Sequence, residues 1–161
     1  MKIQNGEARI VLGKLLGLEE KTVVAFEISR AIKRLQEINT KLEERKLEIM
    51  SQYLVRDSEG NYTLTKDTVE ALEKAKREGI EAVPTVFSYE VEEGREKEFR
   101  EEISKLLEEV VDLNLKGVDC LNRRAKNTEG KSVPLVETLS DYFGSGEINF
   151  LEEIGVLTNL G

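Results

Sequence analysis

The side chains best suited to acid–base or metal chemistry in this chain are carboxylates, and they come as adjacent pairs: Glu19-Glu20, Glu43-Glu44, Glu92-Glu93, Glu101-Glu102, Glu108-Glu109 and Glu152-Glu153. Two carboxylates can share a proton or hold Mg²⁺ only if they converge, and helical neighbours diverge by about 100°. Glu101 with Lys105, and Glu98 with Glu102, stand four apart on the flank of an apolar stripe, where charges solvate a helix and help to select partners. The chain has no histidine. That removes Ser–His and Cys–His couples, imidazole ligands and the side chain whose ordinary pKa lies nearest neutrality.

Cys120 is the single cysteine, so it forms no internal disulfide and no zinc cluster, and reads as a buried reduced thiol. Gly13-Lys14 lacks an upstream glycine at phosphate-loop distance, and Gly144-Ser145-Gly146 lacks a following lysine. The expectation is a protein that is not an enzyme, with no catalytic residue, no cofactor and no metal.

A net charge of −8 and a pI near 4.9 repel phosphate backbones at long range, so no direct contact with nucleic acid is expected. Arg123, Arg124 and Lys126 form the one compact basic cluster, a candidate contact for an anion or an acidic partner, or else charges that compensate a helix end or a loop. Tyr62, Phe87 and Tyr89 could form an exposed recognition strip or anchor a small sheet. No stretch reaches about 18 apolar residues, which predicts a protein without a membrane span, in the cytoplasm.

The elements that must position these groups are mostly helical. From Thr22 to Leu54 the spacing predicts one helix, roughly 50 Å long, with Ile28, Leu35, Leu42 and Ile49 recurring every seven residues. Ala31 and Ile38 fill the alternate seam positions, followed by Arg45 and Gln52, so the seam turns polar late. A helix this long asks for a partner. Phe99, Ile103, Leu106, Val110 and Leu113 advance by four and three and predict a second long helix over 94–116 that packs on the first, its course past Val111 left open because Val111, Leu113 and Leu115 also alternate as a strand does.

Around these, Asn5 is expected to cap a short helix bearing Ile10, Val11 and Leu15, and Gly17 to Thr22 to bend. Residues 55–64 read as a tight hairpin, Asp67 and Glu70 as a capping box for a helix ending near Gly79, and Thr85 to Val91 as a strand after Pro84. Pro134 opens a helix to about Phe143, Gly144-Ser145-Gly146 is a break, and Ile148 to Leu160 is apolar enough to dock. The fold class expected is mainly α with minor β: a long antiparallel helical hairpin, a small β element and short C-terminal helices. It forms a single domain over 1–161, divided as 1–54, 55–93, 94–116 and a tail, 117–161.

Asn5-Gly6-Glu7, the long charged helix from Ala25 to Tyr53, the turn from Asp57 to Tyr62 and the stretch from Phe99 to Val110, with a weaker tail from Phe150 to Leu157, together form an order of features. That order resembles a family of small proteins of unknown function from tailed bacteriophages and prophages of Gram-positive bacteria. The resemblance covers about Met1 to Leu115. It implies a phage origin, hence a place in the host cytoplasm or on the virion, and brings no catalytic residues. The Gly79 to Gly94 and Lys116 to Gly146 segments depart from its pattern.

The function expected is non-enzymatic protein–protein interaction, as an assembly or accessory protein. Partners would be a second copy, dimerisation being favoured, or another phage or host protein. Ile28, Leu35, Ile38, Leu42, Ile49, Phe99, Ile103, Leu106 and Val110 are the expected helix-packing or partner interface. The alternative is an acidic inhibitor of a host enzyme or defence system.

Overall fold

A computed structural model describes residues 1–18 and 23–161 of the chain. The protein is mainly helical, with six strands of two or three residues among the described elements. Two compact units emerge: Met1–Lys41 joined with Glu108–Gly161, and the continuous stretch Leu42–Leu107. Among the described residues, buried apolar side chains gather in two clusters.

In the first unit, β1 (Lys2–Gln4) pairs antiparallel with β2 (Val110–Asp112), Ile3 opposite Val111. A 3-10 turn over Asn5–Glu7 leads into α1 (Ala8–Leu16). The start of this turn is closed by Gln4, whose backbone N–H donates to Glu7 Oε2 at 2.8 Å. Asn5, the expected cap, is instead buried, with its backbone N–H donating to the Glu109 carbonyl at 2.9 Å. Gly17 and Leu18 form a turn; the rest of the expected bend, the helix start at Thr22 and the Glu19-Glu20 pair lie outside the described residues.

The long helix α2 spans Ala25–Tyr53. Its seam behaves as the seven-residue spacing requires: Ile28, Ala31 and Leu35 are wholly buried, Ile38 and Leu42 nearly so, and Arg45 and Gln52 exposed. What covers the first half of the stripe is the chain itself. Ile28, Leu35 and Ile38 share a core with Leu15, Leu113, Leu135, Leu139, Leu151 and Ile154. At about 1.5–3 kcal/mol per large apolar side chain, that burial holds the helix without a second chain on its seam.

The C-terminal segment is better ordered than its composition suggests. β3 (Val118–Asp119) runs parallel to β6 (Leu157–Thr158), and β4 (Arg124–Lys126) forms an antiparallel hairpin with β5 (Ser132–Pro134). Gly117 sits where the β3 and β6 segments approach: a Cβ there would lie 2.7 Å from the Gly155 carbonyl oxygen, so only glycine fits. The helix expected from Pro134 is a 3-10 turn, Leu135–Glu137, followed by α5 (Leu139–Tyr142). Gly144-Ser145-Gly146, expected as a break, starts α6 (Ser145–Glu153); the Gly144 N–H donates to Glu147 Oε1 at 2.8 Å, an acid in the first helical turn. The apolar tail docks as expected, with Leu151, Ile154, Val156 and Leu157 buried.

The second unit holds the end of α2, then α3 (Lys66–Arg77) and α4 (Glu96–Glu108) down to Leu107. Asp57 makes the expected turn, its Oδ1 accepting from the N–H groups of Glu59 and Asn61 at 2.9 and 3.0 Å. Thr65 caps α3 by accepting from the Thr68 N–H, so the cap lies two residues before the expected Asp67. The expected Thr85–Val91 strand is a 3-10 turn at Val86–Ser88, with ladder pairing only at Tyr89 and Val91, opposite Leu64 and Leu54. Met50 and Tyr53 of α2 pack on Phe99 and Ile103 of α4, which makes the hairpin contact.

The second long helix is shorter than its expected 94–116. It stops at Glu108, and Val110 belongs to β2, where it is 58% exposed. Val110-Val111-Asp112 favours extended backbone, and pairing with β1 satisfies its ladder groups. The four-and-three spacing runs on through Val110 and Leu113 by coincidence of an alternating strand with a helical count.

Candidate functional site

The expected interface residues divide by environment. Ile28, Leu35, Leu42, Phe99, Ile103 and Leu106 are buried, Ile38 is 4% exposed, and Ile49 is half-buried. They act as helix-packing residues within the chain, and Val110 is not among them. Exposed apolar surface is supplied by other residues.

Such a surface lies on the second unit. α3 has Asp67 in its first turn, bases in its last, and an apolar face on Leu72 and Ala75, yet none of its residues is buried. Its end is set by Gly79 (φ 70°): the Gly79 N–H donates to Lys76 and the Ile80 N–H to Ala75, at 3.2 and 2.8 Å, the two bonds of a Schellman motif. Past it the chain presents Ile80 at 58% and Val83 at 75% exposure, and Phe87 at 44%. Single exposed apolar residues are ordinary. A half-covered helix face joined in sequence to three of them is not.

The aromatic residues 62, 87 and 89 take two roles. Tyr62 and Tyr89 meet edge to face at 5.9 Å and are half-buried, so they anchor the small β element. Phe87 stands on Phe99 at 6.1 Å, with the Arg100 guanidinium 5.6 Å from its ring, and remains exposed. It borders a cleft of about 330 Å³ lined also by Tyr89, Glu90, Glu96 and Arg100.

Beneath lies a polar knot that fixes α4 on α2. The Tyr53 hydroxyl donates to Glu98 at 2.8 Å, Arg95 lies 4.1 Å over the Tyr53 ring, and Arg95 Nη1 donates to the Gln52 carbonyl at 3.0 Å. The hydrogen bond to the Glu98 carboxylate, then burial, raises the Tyr53 pKa above its ordinary value, and Glu92 raises that of Arg95. These are positioning contacts.

The basic cluster does not converge. Arg123 reaches Glu27 on α2, Arg124 binds the Ser132 side chain and carbonyl across the β4–β5 hairpin, and Lys126 is exposed. A different set of cations comes together in the first unit. Glu27, Arg30 and Arg34 stand on one face of α2, and beside them runs the segment from Leu113 to Arg123. Between the two lie a cleft of about 230 Å³ floored by Leu113, Leu115 and Val156, and a second of about 400 Å³ beside Asp119 and Arg123. Glu27, Arg30 and Lys116 border both. Lys116 carried no signal in the sequence, being a single residue brought to α2 by the fold.

Of the carboxylate pairs, Glu43 engages Lys46 at 2.9 Å and Glu101 engages Lys97 at 4.0 Å, each along its own helix, and Glu92 engages Arg95 at 3.2 Å just before α4. Among the described residues no three acids, cysteines or histidines are grouped to hold a metal, and no helix is long and apolar enough to cross a membrane. Cys120 is buried, and burial raises its pKa. No protein-family model, curated protein or solved structure matches the chain.

Proposed function

We propose that this is a non-enzymatic interaction protein, an assembly or accessory factor of the phage or prophage kind its sequence resembles, acting in the host cytoplasm or on the virion. It associates with a second copy of itself through the α3 face of the second unit. The observation that carries this reading is α3 itself: a twelve-residue amphipathic helix without one buried residue, continued by exposed Ile80 and Val83. A surface helix normally derives its stability from packing its apolar face.

Charge favours a second copy as the occupant. The chain carries −8 overall, which opposes self-association in general. From Lys66 to Glu78, however, Asp67, Glu70, Glu73 and Glu78 are balanced by Lys66, Lys74, Lys76 and Arg77. Between Lys66 and Glu78 at the ends, Asp67, Glu70 and Glu73 precede Lys74, Lys76 and Arg77, so a two-fold, antiparallel meeting of two α3 helices sets these unlike charges together. An acidic inhibitor of a host enzyme draws less support, because from Lys66 to Val83 Glu81 is the one acid left unbalanced.

Sedimentation velocity tests the reading. The wild-type chain sediments as a dimer whose dissociation follows dilution, and I80E/V83E sediments as a monomer with unchanged far-ultraviolet circular dichroism. A wild-type chain that stays monomeric at every concentration overturns self-association.

A further inference from the structure

We propose that the groove between α2 and the 113–117 segment binds a small organic oxyanion, a carboxylate or phosphate carrying a short apolar body. Arg30 and Lys116 border both clefts of this groove. The other charged groups there are engaged: Arg123 with Glu27, Arg34 with the Asp112 carbonyl at 3.1 Å and Glu37 at 3.8 Å, and Asp119 with Asn122 and the Leu121 N–H. Among the described residues Arg30 meets the Phe26 ring, 5.2 Å away, and neither Arg30 nor Lys116 has an ion pair. Two cations without an ion pair among the described residues thus border one groove, together with the Glu27 carboxylate that Arg123 engages.

The wall of the groove is also incompletely satisfied. Among the described residues Arg34 Nε is a buried donor without a hydrogen-bond partner, which an oxyanion can satisfy; Glu27 Oε2, also unpartnered, is a carboxylate oxygen that keeps the anion on the Arg34 side of the groove. Unpaired buried polar atoms are costly to maintain. A guanidinium and an ammonium that border the same clefts suit the oxygens of one carboxylate or phosphate. Leu113, Leu115 and Val156 supply an apolar floor beyond the charges. At about 230 Å³ the inner cleft falls below the roughly 300–1,000 Å³ typical of drug-sized ligands, so the molecule it takes is small. This site is independent of the α3 surface, which lies in the other unit.

The test is a titration of the full ¹⁵N-labelled chain followed by amide shifts, with inorganic phosphate, acetate and butyrate as separate probes and chloride at matched ionic strength as the control for screening. Saturable shifts at Leu115, Lys116 and Gly117 are expected with phosphate and with butyrate, and butyrate should bind more tightly than acetate. R30Q/K116Q should weaken both by about tenfold to a hundredfold, the loss of charge-assisted hydrogen bonds. K126Q, which removes a cation outside the groove, should bind as wild type does. Shifts that chloride reproduces, shifts that survive in R30Q/K116Q, or a butyrate response no stronger than that of acetate overturn the proposal.

Discussion

Leu35, Leu113, Leu151 and Leu157 in the first unit are almost wholly enclosed, whereas Val69, Ile80, Val83 and Phe87 in the second keep 40% of their surface or more in water. The first unit assembles its core from both ends of the sequence, with α1, the first half of α2, α6 and β6 all contributing. The second relies on a small cluster, Met50, Tyr53, Leu54, Phe99 and Ile103, made by one continuous segment. The contrast is one of enclosure: the first core is large and drawn from distant segments, and the second is small and leaves α3 half-covered.

The contrast predicts separable stabilities, and each unit carries its own reporter. Cys120 is buried in the first, and three of the four tyrosines, Tyr53, Tyr62 and Tyr89, lie in the second. The largest effect is expected from Phe99→Ala, which removes a buried ring touching Tyr53 and Phe87 and should cost about 3–5 kcal/mol. In urea the tyrosine transition should shift to lower denaturant while Cys120 stays protected from thiol reagents. Concerted loss of both signals would show that the units share one cooperative transition.

Leu35→Ala is the mirror experiment, at about 2–5 kcal/mol because Leu35 is fully enclosed. Cys120 should become reactive at lower urea while the tyrosine transition moves less. Equal shifts in the two signals would break the contrast.

Smallest is the response to pH, in which the units should differ in sign. In the first unit the N–H of Asn114 lowers the Asp112 pKa, and the Asn122 side chain that of Asp119. A lowered carboxyl pKa contributes stability that is complete above about pH 4–5 and is lost as pH falls through the lowered values. In the second unit the raised Tyr53 pKa contributes below about pH 10 and is lost as pH rises through its folded value. Hydrogen exchange should therefore rise first around β2 and β3 in acid and around Tyr53 in alkali. Tyr53→Phe should abolish the alkaline sensitivity and leave the acid one.

Much of this architecture was legible in the sequence wherever a signal is local. The α2 stripe, its late polar turn, the Asp57 turn and the end of α3 at Gly79 each depend on residues within a turn or two of one another. The three strand pairs join residues far apart or rest on two or three ladder positions, too short for alternation to register. Gly144-Ser145-Gly146 has the composition of a break, and only the Glu147 side chain folding back onto Gly144 reveals a helix start. The Arg123–Arg124–Lys126 cluster looked coherent because its members are adjacent, but β4 and its approach aim them at different partners. The Arg30 and Lys116 pair was invisible for the opposite reason, since 85 positions separate them in the chain.

Because Leu42–Leu107 interrupts the first unit, the chain emerges from the ribosome in an order that its folding cannot follow. β1 must wait for β2, about 70 residues beyond Lys41, which is roughly 4–14 s at the ~5–20 residues per second of translation. During that interval Leu15, Ile28 and Leu35 are exposed on the nascent chain, while the inserted segment already has all of its own contacts to make. The later-sealed unit is thus the one that most needs protection from aggregation as it is made.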